Sequence, residues 1–91
     1  MKIQKLDRRH TGKIAFKYYV STTVKFPDNT AELHSWRVWC WENFGPGAER
    51  DLAVRLCLSS TPVRWAWYTE HGHNRLYFNE AELVFFKLKW V

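Results

Sequence analysis

Between Lys13 and Phe26 the chain alternates: K-I-A-F-K-Y-Y-V-S-T-T-V-K-F. Ile14, Phe16, Tyr18, Val20, Val24 and Phe26 fall on one side, interrupted only by Thr22. Lys13, Lys17, Tyr19, Ser21, Thr23 and Lys25 fall on the other. A period of two in β-branched and aromatic residues predicts a long, half-buried strand. At Pro27 the period changes. Leu33, Trp36, Cys40 and Phe44 recur at 3-4-4 spacing within Pro27–Gly47, which places them on one stripe of a helix. Asp28, Asn29 and Thr30 are competent N-caps, and Asn29 with Glu32 has capping-box spacing. Gly45 can adopt the left-handed conformation that ends a helix, and Pro46 cannot continue one. This stripe needs an apolar surface to cover it, and the flanking strands are its natural partners.

Beyond Gly47 the pattern is less decisive. Ala48 to Leu58 supports a helix through Ala48, Leu52 and Leu56, and a strand through Leu52, Val54, Leu56 and Leu58; helix formers tip the reading toward helix. Ser59-Ser60-Thr61-Pro62 is a turn. Val63 to Glu70 is a strand with Val63, Trp65, Trp67 and Thr69 on one face. His71-Gly72-His73-Asn74 suits a hairpin turn, and Arg75–Phe78 returns as the partner strand. Asn79 with Glu82 has capping-box spacing, so a closing helix from Glu80 would turn Leu83, Phe86 and Trp90 inward. The rival reading is a last strand through Val84, Phe86, Leu88 and Trp90. Together these elements predict an α+β two-layer sandwich, with helices packed on one face of a small antiparallel β-sheet.

Composition sharpens this picture in two ways. Ninety-one residues allow one domain with one modest core, yet the chain carries six Trp, six Phe and four Tyr. More ring surface is therefore available than so small an interior is expected to hide. The net charge of +5 is also unevenly placed: residues 1–17 hold six basic side chains against Asp7 alone, whereas the remainder is balanced. The expected organisation is a basic N-terminal arm, 1–12, and a single α+β domain, 13–91. No apolar run has the length of a membrane span, and the N-terminus lacks the apolar stretch of a secretory leader. With Cys40 and Cys57 read as reduced thiols, the expected location is cytoplasmic.

The candidate chemistry is sparse. His71-x-His73, with Glu70 beside it, supplies at most three of the four ligands that zinc takes, and both histidines are ordinary turn residues. Cys40 with His34 would place a thiol on a core stripe, where it is inert. Gly45-Pro46-Gly47 is a helix stop, not a phosphate loop, and Glu80 and Glu82 suit the first turn of a helix. The chain is accordingly read as a non-enzyme without metal or cofactor. Two binding surfaces remain. Val38 and Trp39 point away from the Leu33 stripe and Trp41 lies at its edge, making an aromatic patch of the kind that dominates protein interfaces. Alternatively Lys13, Lys17, Tyr19 and Lys25, extended by Arg64, Tyr68, Arg75 and Tyr77, would form a sheet face on which nucleic-acid bases stack.

Three motifs carry a resemblance: Trp41-x-x-Phe44-Gly45-Pro46, Arg64-Trp65-x-Trp67-Tyr68, and Leu76-Tyr77-Phe78 leading to Leu83-x-x-Phe86-Lys87-Leu88-Lys89-Trp90. They resemble small uncharacterised proteins of tailed bacteriophages, which often close on a Phe-Lys-Leu-x-Trp ending. Where those proteins often have an acidic residue followed by alanine, Glu82 is followed here by Leu83. The resemblance covers about the last half of the chain and implies a phage accessory protein in the host cytoplasm. The expected function is then a non-catalytic protein that binds and modulates a host protein through Val38, Trp39 and Trp41, helped by the basic arm. A homodimer through the same patch and sequence-tolerant nucleic-acid binding are the alternatives.

Overall fold

Leu76, Tyr77 and Phe78 are consecutive, and all three are buried. Neighbouring strand residues point to opposite faces, so the strand that carries them must be covered on both sides. The computed structural model, which describes residues 2–22, 28–59, 63–70 and 73–90, shows how. That strand, β5 (His73–Phe78), is central in a five-stranded sheet of order β1-β2-β5-β4-β3. β1 (Lys2–Lys5), β2 (Tyr18–Ser21), β5 and β4 (Trp65–Glu70) pair antiparallel, and the two-residue β3 (Ala48–Glu49) joins β4 in parallel.

On the first face lie α1 (Asp28–Phe44) and α3 (Glu80–Trp90). The α1 stripe Leu33, Trp36, Cys40 and Phe44 is wholly buried there against Val20, Trp65, Leu76 and Phe78. α3 contributes Leu83 and Phe86 to the same core. Phe86 meets Trp36 edge-on at 5.3 Å and Phe78 at 5.1 Å, within the range where ring pairs attract beyond simple area burial. Arg64, just ahead of β4, donates to Glu82 of α3 at 3.2 Å. The α+β class and the packing of α1 and α3 on one face are thus as the sequence predicts.

The reverse face is also covered. A second core unites Tyr19, Tyr77 and Ala66 with Leu6, Phe16, Ala48 and Ala53, the last from α2 (Arg50–Leu58). Segment 48–58, ambiguous by pattern, divides between the two readings: Ala48–Glu49 pairs as a strand and the rest is helix. The Glu49 carboxylate accepts from the Asp51 amide at 3.0 Å and caps α2. Because this helix begins at Arg50, Ala53 faces the sheet and Leu52 faces water.

Three expectations need correction. The long strand 13–26 is short: β2 spans four residues, Thr11–Ile14 forms a 3-10 helix, and Val24, Lys25 and Phe26 lie outside the described residues. The reason is packing on the reverse face. Gly12 lies so close to the Tyr77 ring that a Cβ there would stand 2.9 Å from Cε2, and the chain crosses the sheet at that point with Ile14 turned outward. The basic segment 1–12 is no arm, since residues 2–5 form β1 on the sheet edge and Leu6 is buried. At α3, the spacing of a capping box serves another purpose: Asn79 donates to the Ala15 carbonyl at 3.1 Å, while Glu82 turns to Arg64. The capping side chains Asp28 and Asn29 of α1 lie outside the described residues.

Gly47 offers a direct check on this packing. A Cβ there would collide with the indole of Trp65, which is buried and cannot retreat. Gly47→Ala is expected to lower the stability to chemical denaturation by about 1–3 kcal/mol, the usual magnitude for forcing extra volume into a packed core.

Candidate binding cleft

With Leu33, Trp36, Cys40 and Phe44 fixed on the sheet, 100° per residue places His34, Arg37, Val38 and Trp41 along one flank of α1. They overhang the outward-leaning parts of β4. Together with Trp65 and Trp67 they line a cleft of about 220 Å³. A hollow of about 280 Å³ adjoins it, sharing His34 and Arg37 and reaching Thr30, Thr69 and Asn74. Trp41 is 56% exposed and Val38 45%, so the rim is apolar and open.

The helix stop shapes the floor. Gly45 has φ 81°, which ends α1 while its amide still donates to the Trp41 carbonyl at 3.0 Å. Its own carbonyl accepts from Trp65 Nε1 at 2.9 Å. The Gly45-Pro46-Gly47 turn therefore does two jobs: it stops the helix and seats the buried tryptophan. Trp67, half-buried beside it, tilts against Trp65 at 5.6 Å. The Arg37 guanidinium stacks over the Trp67 ring at 4.0 Å. Burial lowers the pKa of Arg37, and no described carboxylate forms an ion pair with it. The cleft thus combines apolar walls with one cation that lacks a counter-charge among the described residues.

Of the three residues expected to form a protein-binding patch, the structure brings two together. Val38 and Trp41 share the cleft rim, whereas Trp39 lies on the opposite flank of α1 and packs between the helices. Its ring is 5.3 Å from Phe44, 5.5 Å from Phe85 and 5.8 Å from Phe86. Sequence reasoning missed Arg37 and His34, although His34, Val38 and Trp41 stand at 4-3 spacing and already formed a second stripe on the helix.

The expected nucleic-acid face is dispersed. Tyr19 is only 5% exposed, beneath Arg75 at 4.3 Å, with its hydroxyl donating to Gln4 Oε1 at 3.1 Å. Tyr77 is buried with it. Tyr68 is half-buried under the Arg50 guanidinium at 3.9 Å. Arg64 is committed to Glu82 on the other side of the sheet, Lys13 and Lys17 are exposed on the chain leading into β2, and Lys25 lies outside the described residues. Tyr19 and Tyr77 are core and Tyr68 is half-covered, because α2 and residues 6–17 cover the face that alternation alone leaves to solvent.

No described cluster of three or more His, Cys, Asp or Glu is placed to hold a metal. The Glu70, His71 and His73 side chains lie outside the described residues. Cys40 and Cys57 are both free; burial pushes the Cys40 thiol well above its usual pKa, which leaves it protonated and unreactive at neutral pH. Among the described residues no helix is long and apolar enough to cross a membrane. No protein-family model, curated protein or solved structure matches the chain.

The split of the patch has a measurable consequence. Trp39→Ala removes a ring from between α1 and α3 and is expected to cost about 2–4 kcal/mol in urea unfolding. Trp41→Ala touches an exposed ring and should change stability by under about 0.5 kcal/mol.

Proposed function

We propose that this is a non-catalytic protein-binding domain that takes a segment of another protein into the cleft between α1 and β4. The observation that carries this reading is Trp41, more than half exposed on a well-formed helix, beside a hollow floored by two further tryptophans. Tryptophan and arginine are enriched at interface hot spots, which cluster at pockets of this kind. Arg37 adds a chemical preference. A guanidinium held in the cleft without a described counter-charge favours a partner with a carboxylate next to its apolar side chain. On the resemblance to tailed-phage proteins, that partner would be a protein of a bacterial host, whose activity the bound chain would modulate.

Nucleic-acid binding is the weaker reading. The basic side chains that would contact phosphates remain, at Lys13, Lys17 and Arg75, but Tyr19 and Tyr77 are enclosed and offer no ring for stacking.

Affinity capture from host lysate tests the proposal when wild type is compared with two surface variants. Trp41→Ala and Arg37→Ala should each lose the captured protein by tenfold or more while the circular dichroism spectrum stays unchanged, since both act at the rim and floor of the cleft. Capture that is equal in wild type and both variants would remove the cleft from the account. Retention that falls steeply with salt on a DNA or RNA column, and is indifferent to Trp41, would favour the nucleic-acid reading instead.

A further inference from the structure

α3 is apolar on two opposite faces. Leu83 and Phe86 are buried against the sheet and Trp90 is half-buried beside them. Ala81, Val84, Phe85 and Leu88 recur at i, i+3, i+4 and i+7 on the outward side, and all four are exposed: Val84 56%, Phe85 45%, Leu88 79%. That spacing is the stripe by which a helix packs on another helix; Phe85 meets Trp39 and Phe44 of α1 along one edge, but Val84 and the far more exposed Leu88 serve no packing inside a chain that leaves them open. The charges around the stripe are ordered as well. Counting 100° per residue, Glu80 and Lys87 flank it on one side and Glu82 and Lys89 on the other, with both acids in the first turn and both lysines in the last.

We propose that this face binds a second copy of the chain, with the two α3 helices antiparallel about a twofold axis between Val84 and Phe85. The choice of occupant comes from charge complementarity. About that axis Ala81 lies opposite Leu88 of the second copy, small against large, and Val84 lies beside Phe85. Glu80 comes next to Lys87 of the other copy on one flank; on the other, Lys89 of the second copy lies beside a Glu82 that is already paired with Arg64 of its own chain, so the Glu80–Lys87 flank carries the complementarity. A parallel pairing would instead set Lys87 beside Lys89, like charge on like, and would separate Glu80 from Lys87, leaving it beside the Glu82 that Arg64 already holds. Acids early and bases late also suit the helix dipole, which accounts for the charges alone but not for the apolar stripe between them. The surface complements itself, as a twofold interface requires. Eleven residues make a helix of about 16 Å. A contact of that length buries less than the roughly 800 Å² per partner of a standard interface, the size class of weak, transient association. It uses α3 alone and is independent of the α1–β4 cleft.

Sedimentation equilibrium of the whole chain at low salt tests this over a micromolar concentration series. The average mass should climb from 11.0 kDa toward twice that value as concentration rises. Leu88→Lys, at the most exposed position of the stripe, should remain monomeric with an unchanged circular dichroism spectrum. Glu80→Lys and Lys87→Glu should each weaken association about tenfold, because each turns two symmetry-related attractions into repulsions. Two further arms separate this geometry from general stickiness: the double variant carrying both reversals, and an equimolar mixture of the two single variants, should each regain wild-type association. A chain that stays at 11.0 kDa throughout overturns the proposal. So does a dimer indifferent to Leu88→Lys, or one in which the paired reversals give no recovery; a second copy would then sit elsewhere or the α3 face would serve a different protein.

Discussion

Everything in this fold is referred to β5. Its three consecutive buried residues alternate between two cores: Leu76 and Phe78 look toward α1 and α3, and Tyr77 looks toward α2 and the segment around Phe16. A strand in this position has no solvent face, so a slip of one residue would exchange the contents of both cores at once. That constraint sets the register of its neighbours. Val20 of β2 pairs with Leu76 and Tyr19 with Tyr77, while Trp67 of β4 is opposite Leu76 and Ala66 opposite Tyr77. Ala66 shares the reverse-face core with Ala53 of α2, whereas Trp65 is buried, and Trp67 half-buried, on the face that α1 covers. The two faces thus differ in content: large rings on one, tyrosines and alanines on the other.

The binding surfaces follow from how this arrangement divides the rings. Trp36 and Trp65 are enclosed; Trp39, Trp67 and Trp90 are half-covered and make contact with other rings; Trp41 stands outside. Enclosing Trp65 requires the close approach of Gly47 and the carbonyl of Gly45, and the same turn ends α1 just after Trp41. The cleft is therefore a consequence of seating one tryptophan: the helix is held at a fixed height over β4, and its free flank overhangs the sheet. α3 shows a different surplus. Its inner stripe completes the core; of its outer stripe Phe85 leans in part on Trp39 and Phe44, while Val84 and Leu88 lie open and carry the intermolecular role proposed for this face.

Much of this was legible in the chain because period and punctuation agreed. The α1 stripe, the Gly45-Pro46 stop and the inward residues of α3 all carry their signal locally, within one or two helical turns. The failures have a common physical cause. Alternation from Lys13 to Phe26 predicts one buried and one solvated face, but Tyr19 is core on the face that alternation leaves to water, since tyrosine fits either environment and the covering elements come from residues 6–17 and α2. No local pattern reports which distant segment covers a sheet. The same holds for residues 2–5, whose charges describe an exposed end and whose backbone pairs as an edge strand, where lysines are at home because they discourage further pairing. Segment 48–58 follows its favoured helical reading over Arg50–Leu58, and only Ala48–Glu49 pairs as a strand. At the site, Val38 and Trp41 were found from their distance to the stripe. Trp39 was misplaced because a helix has two flanks and only the position of α3 distinguishes them.

The central claim is that, of the six tryptophans, Trp41 alone stands mostly outside the fold, over a cleft floored by Trp65 and Trp67. The most direct measurement is the solvent paramagnetic relaxation enhancement of the six indole Nε1 protons by nuclear magnetic resonance, using an inert soluble gadolinium chelate. The account requires the largest enhancement at Trp41 and almost none at Trp36 and Trp65, the latter being hydrogen-bonded to the Gly45 carbonyl. Trp90, whose Nε1 is buried, should be equally silent. A Trp41 proton as protected as that of Trp65 would mean that the ring is internal, and the cleft would lose the residue on which its binding role is built.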